Sequence, residues 1–278
     1  MPNLKLRRKA DLSPFRKIAL GTWQTAYDPS VYGSVSLRME AAERYLEQFR
    51  RVTGKRLTMS HMMAKAAAAA LEAMPDANAI LRLGRIYLRE RIGVFFQVAL
   101  EDPLTGEIDL SGATIYDPEK KSLLDICLEL EEKAKGVRGG KDKKERARSL
   151  FRHAPEFAIG PLLDTIGFFG YTLNLDLEKV GVPNDPFGSI MITNIGSLGL
   201  EEAYAPLVPY TRVPIVVAMG AVLDAPVVED GQVVPGRVMK VCATFDHRIL
   251  DGAHAAIMVR TLRDWMQDPF AHFDPLAA

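Results

Sequence analysis

The chain is poor in cysteine and carries no excess charge of either sign. Only two cysteines occur in 278 residues, Cys127 and Cys242, far apart, within apolar segments and outside any CxxC pattern. This usage excludes a disulfide-stapled module, argues against a zinc site, and predicts two buried thiols in a reducing compartment. Basic and acidic residues number 35 each, so no global field attracts nucleic acid or an anionic membrane.

Long apolar runs are also missing. The N-terminal sequence MPNLKLRRKADLSPF has no apolar core of the kind a secretory signal needs, so we predict a cytoplasmic protein. The most apolar stretch, residues 154–177, is interrupted by Pro161, Asp164, Gly167 and Gly170 and lacks the roughly 20 continuous apolar residues of a spanning helix. Core packing, a lid and a surface for a partner are all open interpretations, and membrane contact is the least favoured.

Residues 136–152, GVRGGKDKKERARSLFR, are almost wholly charged or glycine and form the most basic segment. The neutral total charge and the lack of interleaved aromatic residues favour a solvated loop over a nucleic-acid contact.

The residues that are present predict one large core. Apolar residues make up 48% of the chain and charged residues 25%, without internal repeats or linkers of interdomain length. Periodicity predicts alternating helices and strands, hence a single α/β domain over residues 1–278. The predicted helices are Ser13–Gln24, Glu40–Val52, Met59–Pro75, Ser122–Lys135 and Gly252–Met266. The predicted strands are Gly33–Leu37, Arg85–Arg91, Gly93–Leu100, Ser189–Asn194, Val213–Val222 and Arg237–His247. A turn-rich link is predicted from Leu100 to Ser122, and a turn at Asp230-Gly231.

One cluster stands out chemically, TFDHRILDG at Thr244–Gly252, where a strand is predicted to end and a helix to begin. Such a junction can hold His247 with one ring nitrogen towards a cleft, while Asp251 turns back to fix the local backbone. By itself one histidine with one aspartate is weak evidence of catalysis, since most lone histidines are structural.

The same heptad, DHRILDG, resembles the DHRxxDG signature of the catalytic domain of dihydrolipoyl acyltransferases of 2-oxo acid dehydrogenase complexes, whose superfamily includes chloramphenicol acetyltransferase. Further segments resemble the family's landmarks in the same order. They are RKIA (16–19), MPDANAI (74–80), RIGVFFQVAL (91–100), ITNIGSLG (192–199) and VPIVVAMGAV (213–222).

The resemblance implies a two-layer, chloramphenicol acetyltransferase-like α/β fold, with a mixed sheet packed against helices. It implies a homotrimer that can assemble further into a larger cage, with the active site between subunits. The implied reaction moves an acyl group between coenzyme A and a thiol acceptor such as dihydrolipoamide. The lipoyl group would have to come from a lipoyl-bearing partner protein.

The resemblance also implies roles for individual residues. His247 resembles the general base and Thr193 the hydroxyl that hydrogen-bonds the oxyanion. Asp251 resembles the acid kept beside the base and paired with an arginine, for which Arg16 is the candidate. Asp246 and Arg248 are expected to position the loop, and His254 to be a satisfied helix histidine. Asn194 and Gly252 belong to the same matching motifs.

The sequence departs from the family in four places. We expect a stand-alone catalytic region that lacks the lipoyl and peripheral-subunit-binding domains. The segment EDPLTGEIDLSGATIYD replaces the one that follows the central strand in the family, the last residues are less apolar, and an insertion is predicted around 136–188. An insertion there could cover a substrate entrance or create a subunit contact. The missing lipoyl machinery motivates an alternative, a non-catalytic scaffold relative that keeps the trimeric fold.

Overall fold

The computed structural model describes residues 3–9, 29–101, 108–138 and 156–276. The predicted helix Ser13–Gln24, with Arg16, lies outside these residues, as does most of the basic stretch 136–152. The helices are α1 (Glu40–Thr53), α2 (Met59–Ala73), α3 (Leu123–Arg138), α4 (Glu156–Gly167), α5 (Gly252–Gln267) and α6 (Pro269–His272). The strands are β1 (Leu6–Arg8), β2 (Ser30–Arg38), β3 (Ala79–Arg82), β4 (Arg85–Arg89), β5 (Gly93–Glu101), β6 (Ile108–Tyr116), β7 (Ile190–Asn194), β8 (Ile215–Glu229) and β9 (Gln232–Asp246).

Across the described part of the chain, the strands form two sheets. The larger sheet has the order β2-β9-β8-β7-β5-β6, and the smaller, antiparallel sheet has the order β1-β4-β3. In the larger sheet β7 runs parallel to both β5 and β8, while the remaining pairs are antiparallel. The sheet is therefore mixed, as predicted, and β5 is an inner strand.

Helices cover one face of this sheet and form the main core with it. The alanine-rich α2 is buried along almost its whole length and contacts α5, β7 and β5. Alanine side chains let a helix lie close to a sheet, and Met62 and Met63 fill the remaining gaps. Helix α1 ends where Gly54 takes the left-handed conformation (φ 66°) that closes a helix without a Cβ penalty. The two-layer prediction is confirmed.

The prediction of a turn-rich link between Leu100 and Ser122 is wrong, because this segment contains β6 (Ile108–Tyr116), which pairs with β5 along its whole length. Its glycine and its polar residues suggested turns. Gly112 is required for packing instead, since a Cβ there would lie 2.2 Å from the Phe95 ring. Strand β3 was also not predicted, and it pairs with β4 across a turn at Leu83 and Gly84.

The hairpin β8–β9 is longer than predicted on both sides of its turn. Asp230 and Gly231 both have positive φ (48° and 76°), as a two-residue hairpin turn requires. Pro226 and Pro235, whose type suggests turns, lie opposite each other within the strands. Pro226 is tolerated because β7 pairs with β8 only as far as Met219, and Pro235 because β2 pairs with β9 only from Val238 onward, so neither proline has a second strand to donate to.

The other face of the sheet is covered in part by α4 and by the π-helical turn Phe168–Thr172 that continues it. Ile159, Leu163 and Ile166 recur at helical spacing along α4 and line a cavity over the sheet. Phe168 and Phe169 are exposed by 48% and 42%. The described part of the apolar stretch 154–177 therefore acts as a roof over the sheet and also presents apolar surface.

Candidate active site

The predicted base lies in a tight turn between the end of β9 and the start of α5. The backbone carbonyl of Asp246 accepts hydrogen bonds from the N–H groups of Ile249 (3.0 Å) and Leu250 (2.9 Å). The buried Asp246 carboxylate accepts from Arg248 Nη2 (2.7 Å), Arg248 Nε (2.9 Å) and the Arg248 backbone N–H (2.9 Å). The bidentate ion pair between Asp246 and Arg248 thus stabilises the turn that contains His247.

A hydrogen bond to the backbone sets the tautomer of the half-buried His247 ring. Its Nδ1 lies 2.7 Å from the backbone carbonyl oxygen of Leu250. Because a carbonyl can only accept, Nδ1 carries the proton, and the neutral ring then has its lone pair on Nε2. The His247 backbone N–H donates to the Pro29 carbonyl (2.9 Å), which ties the turn to the start of β2. Nε2 is therefore the ring atom that can accept a proton.

Asp251 caps the N-terminus of α5. Its Oδ1 accepts from the backbone N–H groups of Ala253 (3.0 Å) and His254 (3.2 Å) and lies 2.6 Å from His254 Nδ1. His254 is therefore held by the cap, as expected for a satisfied helix histidine. The expected arginine partner of Asp251, Arg16, lies outside the described residues. Gly252 follows the cap on the surface, where an added Cβ would meet nothing within 4 Å of this chain.

Thr193 and Asn194 end β7. Ile190 and Ile192 of this strand belong to the helix-covered core, so Met191 and Thr193 face the opposite side of the sheet. Asn194 is clamped, because its Oδ1 accepts from the Ser197 N–H (3.2 Å) and its carbonyl from the Ser197 hydroxyl (2.7 Å). Among the described residues, the structure gives the Thr193 hydroxyl no hydrogen-bond partner, so it can donate to a ligand.

One chain does not bring Thr193 and His247 together. Thr193 is in register with Ala218 on β8, and Ala218 with Cys242 on β9. His247 follows five residues after Cys242, so the two side chains lie on the order of 15–20 Å apart, by five residue rises along one strand and two strand spacings across the sheet. This separation exceeds the hydrogen-bond reach that a base and an oxyanion donor need around one reacting centre.

A cavity of about 540 Å³ lies on the Thr193 side of the sheet, between β5, β6 and β7 and the α4 roof. Phe95, Gln97 and Met191 contribute to its floor. Sequence reasoning missed these residues, because they are mostly apolar and come from separate segments that no motif connects. The only signal was the unexplained apolar stretch 154–177.

Two positive side chains lie near the His247 turn. Desolvation by burial, and then repulsion from the neighbouring Arg248 guanidinium, lower the pKa of Arg212. Attraction from Tyr171 and from the Asp164 carboxylate partly offsets this lowering of the pKa of Arg212. Within the described part of the chain Arg212 forms no direct salt bridge, whereas Asp246 pairs with Arg248. Arg212 is therefore more available than Arg248 to attract an anionic group of a substrate.

Neither cysteine competes as a nucleophile. Cys127 and Cys242 are free and buried, as predicted. Burial raises the pKa of both thiols, which disfavours the reactive thiolate. Over the described ranges, no group of three or more His, Cys, Asp or Glu side chains is placed to hold a metal ion. In the same ranges, no helix combines the length and apolarity that crossing a bilayer demands.

A model of a known protein family matches most of the chain. The family model described as 2-oxoacid dehydrogenases acyltransferase (catalytic domain) matches residues 7–148 and 186–273. The dihydrolipoyllysine-residue acetyltransferase component of the acetoin cleaving system of Bacillus subtilis is 26% identical over 231 residues, which is 83% of this chain and 44% of that protein. The lipoamide acyltransferase component of the branched-chain alpha-keto acid dehydrogenase complex of Pseudomonas putida is 34% identical over 85 residues, 31% of this chain and 20% of that protein. The chain thus spans less than half the length of these relatives.

Solved structures share the fold. A probable dihydrolipoamide acetyltransferase from Listeria monocytogenes superposes with a TM-score of 0.66 at 17% identity, covering 98% of this chain and 99% of that one. The cubic core of the pyruvate dehydrogenase multienzyme complex gives 0.63 at 20% identity, with 95% and 93% covered. A chloramphenicol acetyltransferase gives 0.50 at 14% identity, with 94% and 100% covered. These likenesses confirm the predicted fold class.

Proposed function

The chain belongs to the family of 2-oxoacid dehydrogenase acyltransferases, whose catalytic-domain model matches it, and from this premise we propose that it transfers an acyl group between coenzyme A and a thiol acceptor such as dihydrolipoamide. The observation that carries the proposal is the 2.7 Å contact between His247 Nδ1 and the Leu250 carbonyl. It leaves the lone pair on Nε2, the atom that a general base uses.

In the proposed reaction His247 Nε2 takes the proton from the attacking thiol. A thiol with a pKa of roughly 8.5 is mostly protonated at neutral pH, so a base is needed to produce the thiolate. The thiolate forms a bond to the thioester carbonyl carbon, and the carbonyl oxygen becomes an oxyanion. When the tetrahedral intermediate collapses, the original carbon–sulfur bond breaks and the departing thiolate takes the proton back from His247.

We assign the oxyanion contact to Thr193. A hydroxyl without a partner among the described residues can donate to the developing negative charge, and such a donor contributes about 3 kcal/mol to the transition state. Asn194 keeps the end of β7 in place through its clamp with Ser197. Asp246 and Arg248 hold the turn, and Asp251 and Gly252 start α5 behind it. Arg16 keeps its proposed role as the arginine partner of Asp251.

The distance between His247 and Thr193 within one chain implies a site shared by two chains. We propose that His247 of one subunit meets Thr193 of a neighbour in a homotrimer. The proposed partner in solution is a lipoyl-bearing protein. Assembly of trimers into a larger cage belongs to the same proposal, because a solved relative in fold is described as a cubic core.

The direct test is acyl transfer from acetyl-coenzyme A to free dihydrolipoamide by the purified chain. We expect His247→Ala to lower kcat/KM by roughly 10²–10⁴, the usual contribution of a general base. The matched control is His272→Gln, because His272 is an exposed histidine that stacks on Trp265 away from the turn. His272→Gln should retain activity within about threefold, as expected of a surface substitution.

The oxyanion assignment has its own pair of variants. Thr193→Val keeps the shape of the side chain but removes the donor, and it should lower kcat by roughly 10²–10³. Thr193→Ser restores a hydroxyl and should recover most of that loss. Equal losses in both variants would contradict the role of the hydroxyl. An assembled protein without acyl transfer and without coenzyme A binding would favour the scaffold alternative.

A further inference from the structure

The cavity on the Thr193 side of the sheet has the size and chemistry of a ligand site. Its volume of about 540 Å³ lies within the range of roughly 300–1,000 Å³ typical of small-molecule pockets. Most of its lining is apolar, with a roof from the α4 face at Ile159, Leu163 and Ile166. About half of the lining residues fall within residues 149–185, which the family model leaves unmatched. The roof is therefore a feature that sets this chain apart from the family pattern.

Aromatic rings form one wall of the cavity. The ring of Phe187 lies 5.3 Å from that of Phe95 and 5.5 Å from that of Tyr210, centroid to centroid. Phe95 can lie flat on β6 only because position 112 is a glycine, since a Cβ there would lie 2.2 Å from its ring. This wall consists of packed aromatic rings and contains no charged side chain. It suits an apolar ligand.

The floor of the cavity ends close to the proposed oxyanion donor, because Met191, which lines it, lies two residues before Thr193 on the same face of β7. Phe95 pairs with Met191 and Phe96 with Ile192 in the parallel register of β5 and β7. The pairing ends there, and continuing the same register by one residue would set Gln97 beside Thr193, on the same face and about 4.8 Å away across the sheet. Gln97 and Met191 both line the cavity. An acyl group whose carbonyl oxygen accepts from Thr193 can therefore extend along this floor under the roof.

We propose that this cavity holds the acyl group of the substrate. The preferred substrate of the protein is then a thioester of an apolar acyl group of medium length rather than of acetate. The proposal rests on the proposed function, because it places the reacting carbonyl at Thr193. Burial of each methylene contributes about fourfold in affinity, so an octanoyl group should be favoured over acetyl by at least about 10² in kcat/KM.

The test uses two glycines of the same helix. Gly167 lines the cavity at the end of α4, has ordinary helical dihedral angles, and an added Cβ would meet nothing within 4 Å. Gly167→Phe therefore places a ring at the cavity without backbone strain. Gly160 is exposed on α4, does not line the cavity and has equally open space. Gly160→Phe is the matched control, since both variants raise helix propensity alike.

Turnover and binding are measured with acetyl- and octanoyl-coenzyme A. We expect Gly167→Phe to lower kcat/KM for octanoyl-coenzyme A at least tenfold, to leave acetyl transfer within about threefold, and Gly160→Phe to change neither. Equal rates with the two thioesters in the unmodified protein, or equal effects of the two variants, would overturn the proposal.

Titration calorimetry separates this proposal from the proposed function. If neither thioester is turned over, the proposed function fails, and the cavity proposal is then judged by affinity alone. Octanoyl-coenzyme A should bind at least tenfold more tightly than acetyl-coenzyme A, and Gly167→Phe should abolish the difference. Free octanoate that binds as tightly as octanoyl-coenzyme A would assign the cavity to free fatty acids and overturn the thioester assignment.

Discussion

At the scale of single residues, two histidines of this chain show how one hydrogen bond decides what an imidazole can do. His247 Nδ1 faces a carbonyl and must donate, so its lone pair is on Nε2. His61 Nδ1 accepts from the Thr58 backbone N–H (3.1 Å), so its neutral ring carries the proton on Nε2. His61 is 7% exposed, and desolvation by burial lowers its pKa to about 4. It is a structural cap of α2.

This burial makes folding stability depend on pH. An unfolded histidine titrates near pH 6.5, whereas folded His61 stays neutral down to about pH 4. Between these values the unfolded chain binds the extra proton, so the stabilisation is complete above pH 6.5 and is lost as the pH falls towards 4. From pH 7 to pH 5 the free energy of unfolding should fall by about 2 kcal/mol through this group.

The measurement is urea unfolding at pH 7 and pH 5 of the unmodified chain and of His61→Gln. Glutamine keeps an acceptor for the Thr58 N–H, as in an ordinary capping box, but does not titrate. The variant should lose about 2 kcal/mol less than the unmodified chain. His272→Gln, at an exposed histidine, should keep the unmodified slope. An unchanged slope in His61→Gln would show that His61 is not the titrating group.

At the scale of elements, β5 and β7 begin together because two glycines let their backbones touch. A Cβ on Gly188 would lie 2.6 Å from the carbonyl oxygen of Gly93, and one on Gly93 would lie 2.8 Å from Gly188 Cα. The Ser189 N–H then donates to the Gly93 carbonyl (2.7 Å), and the Gly93 N–H to the Ser189 hydroxyl (3.1 Å). This junction starts the register in which Phe95 pairs with Met191 and Phe96 with Ile192.

Two alanine substitutions separate the close contact from backbone strain. Gly181 (φ 88°) and Gly188 (φ 65°) both have left-handed dihedral angles, but a Cβ on Gly181 would meet nothing within 4 Å. Gly181→Ala should destabilise the protein by roughly 1–2 kcal/mol, the cost of that conformation alone. Gly188→Ala should cost about 2 kcal/mol more, because the backbones must separate. Denaturant unfolding measures both, and equal losses would contradict the role of the contact.

At the scale of the whole molecule, strand order determines what one chain can accomplish. Thr193 lies on β7 and His247 beyond the end of β9, with β8 between these strands. The strands align in a register that holds the two side chains apart. If the site is shared between neighbouring subunits, only the assembled protein is active. A subunit without its histidine can then be complemented by a neighbour without its threonine.

Co-expression of His247→Ala with Thr193→Val tests the shared site. Each variant alone should be inactive to the extent given above. In a cyclic trimer, every mixed ring contains one interface with an intact histidine and an intact threonine, so random mixing should restore about a quarter of the unmodified activity. Tags on the two chains allow mixed assemblies to be isolated, and light scattering gives their mass. Mixed assemblies without recovered activity would contradict a site between chains.

The features predictable from the sequence are those with local signals. Gly54 ends α1, the alanine- and methionine-rich composition predicts α2, apolar periodicity predicts α5, and Asp230-Gly231 marks the hairpin turn. The motifs DHRILDG and ITNIGSLG predicted where candidate site residues lie in the sequence, at the His247 turn and at the end of β7. In each case the interacting groups lie within a few residues of one another, so spacing and residue type alone carry the information.

Tertiary structure alone decided the strand order, the membership of β6 in the sheet, the distance between Thr193 and His247, and the cavity. Gly112 lies in the segment predicted as a turn-rich link, but its role depends on the Phe95 ring of a neighbouring strand. The cavity joins β5, β6 and β7 to a roof from α4, segments that are distant in sequence. Such features arise from pairing and packing between remote parts of the chain, and residue periodicity does not specify which remote surfaces will meet.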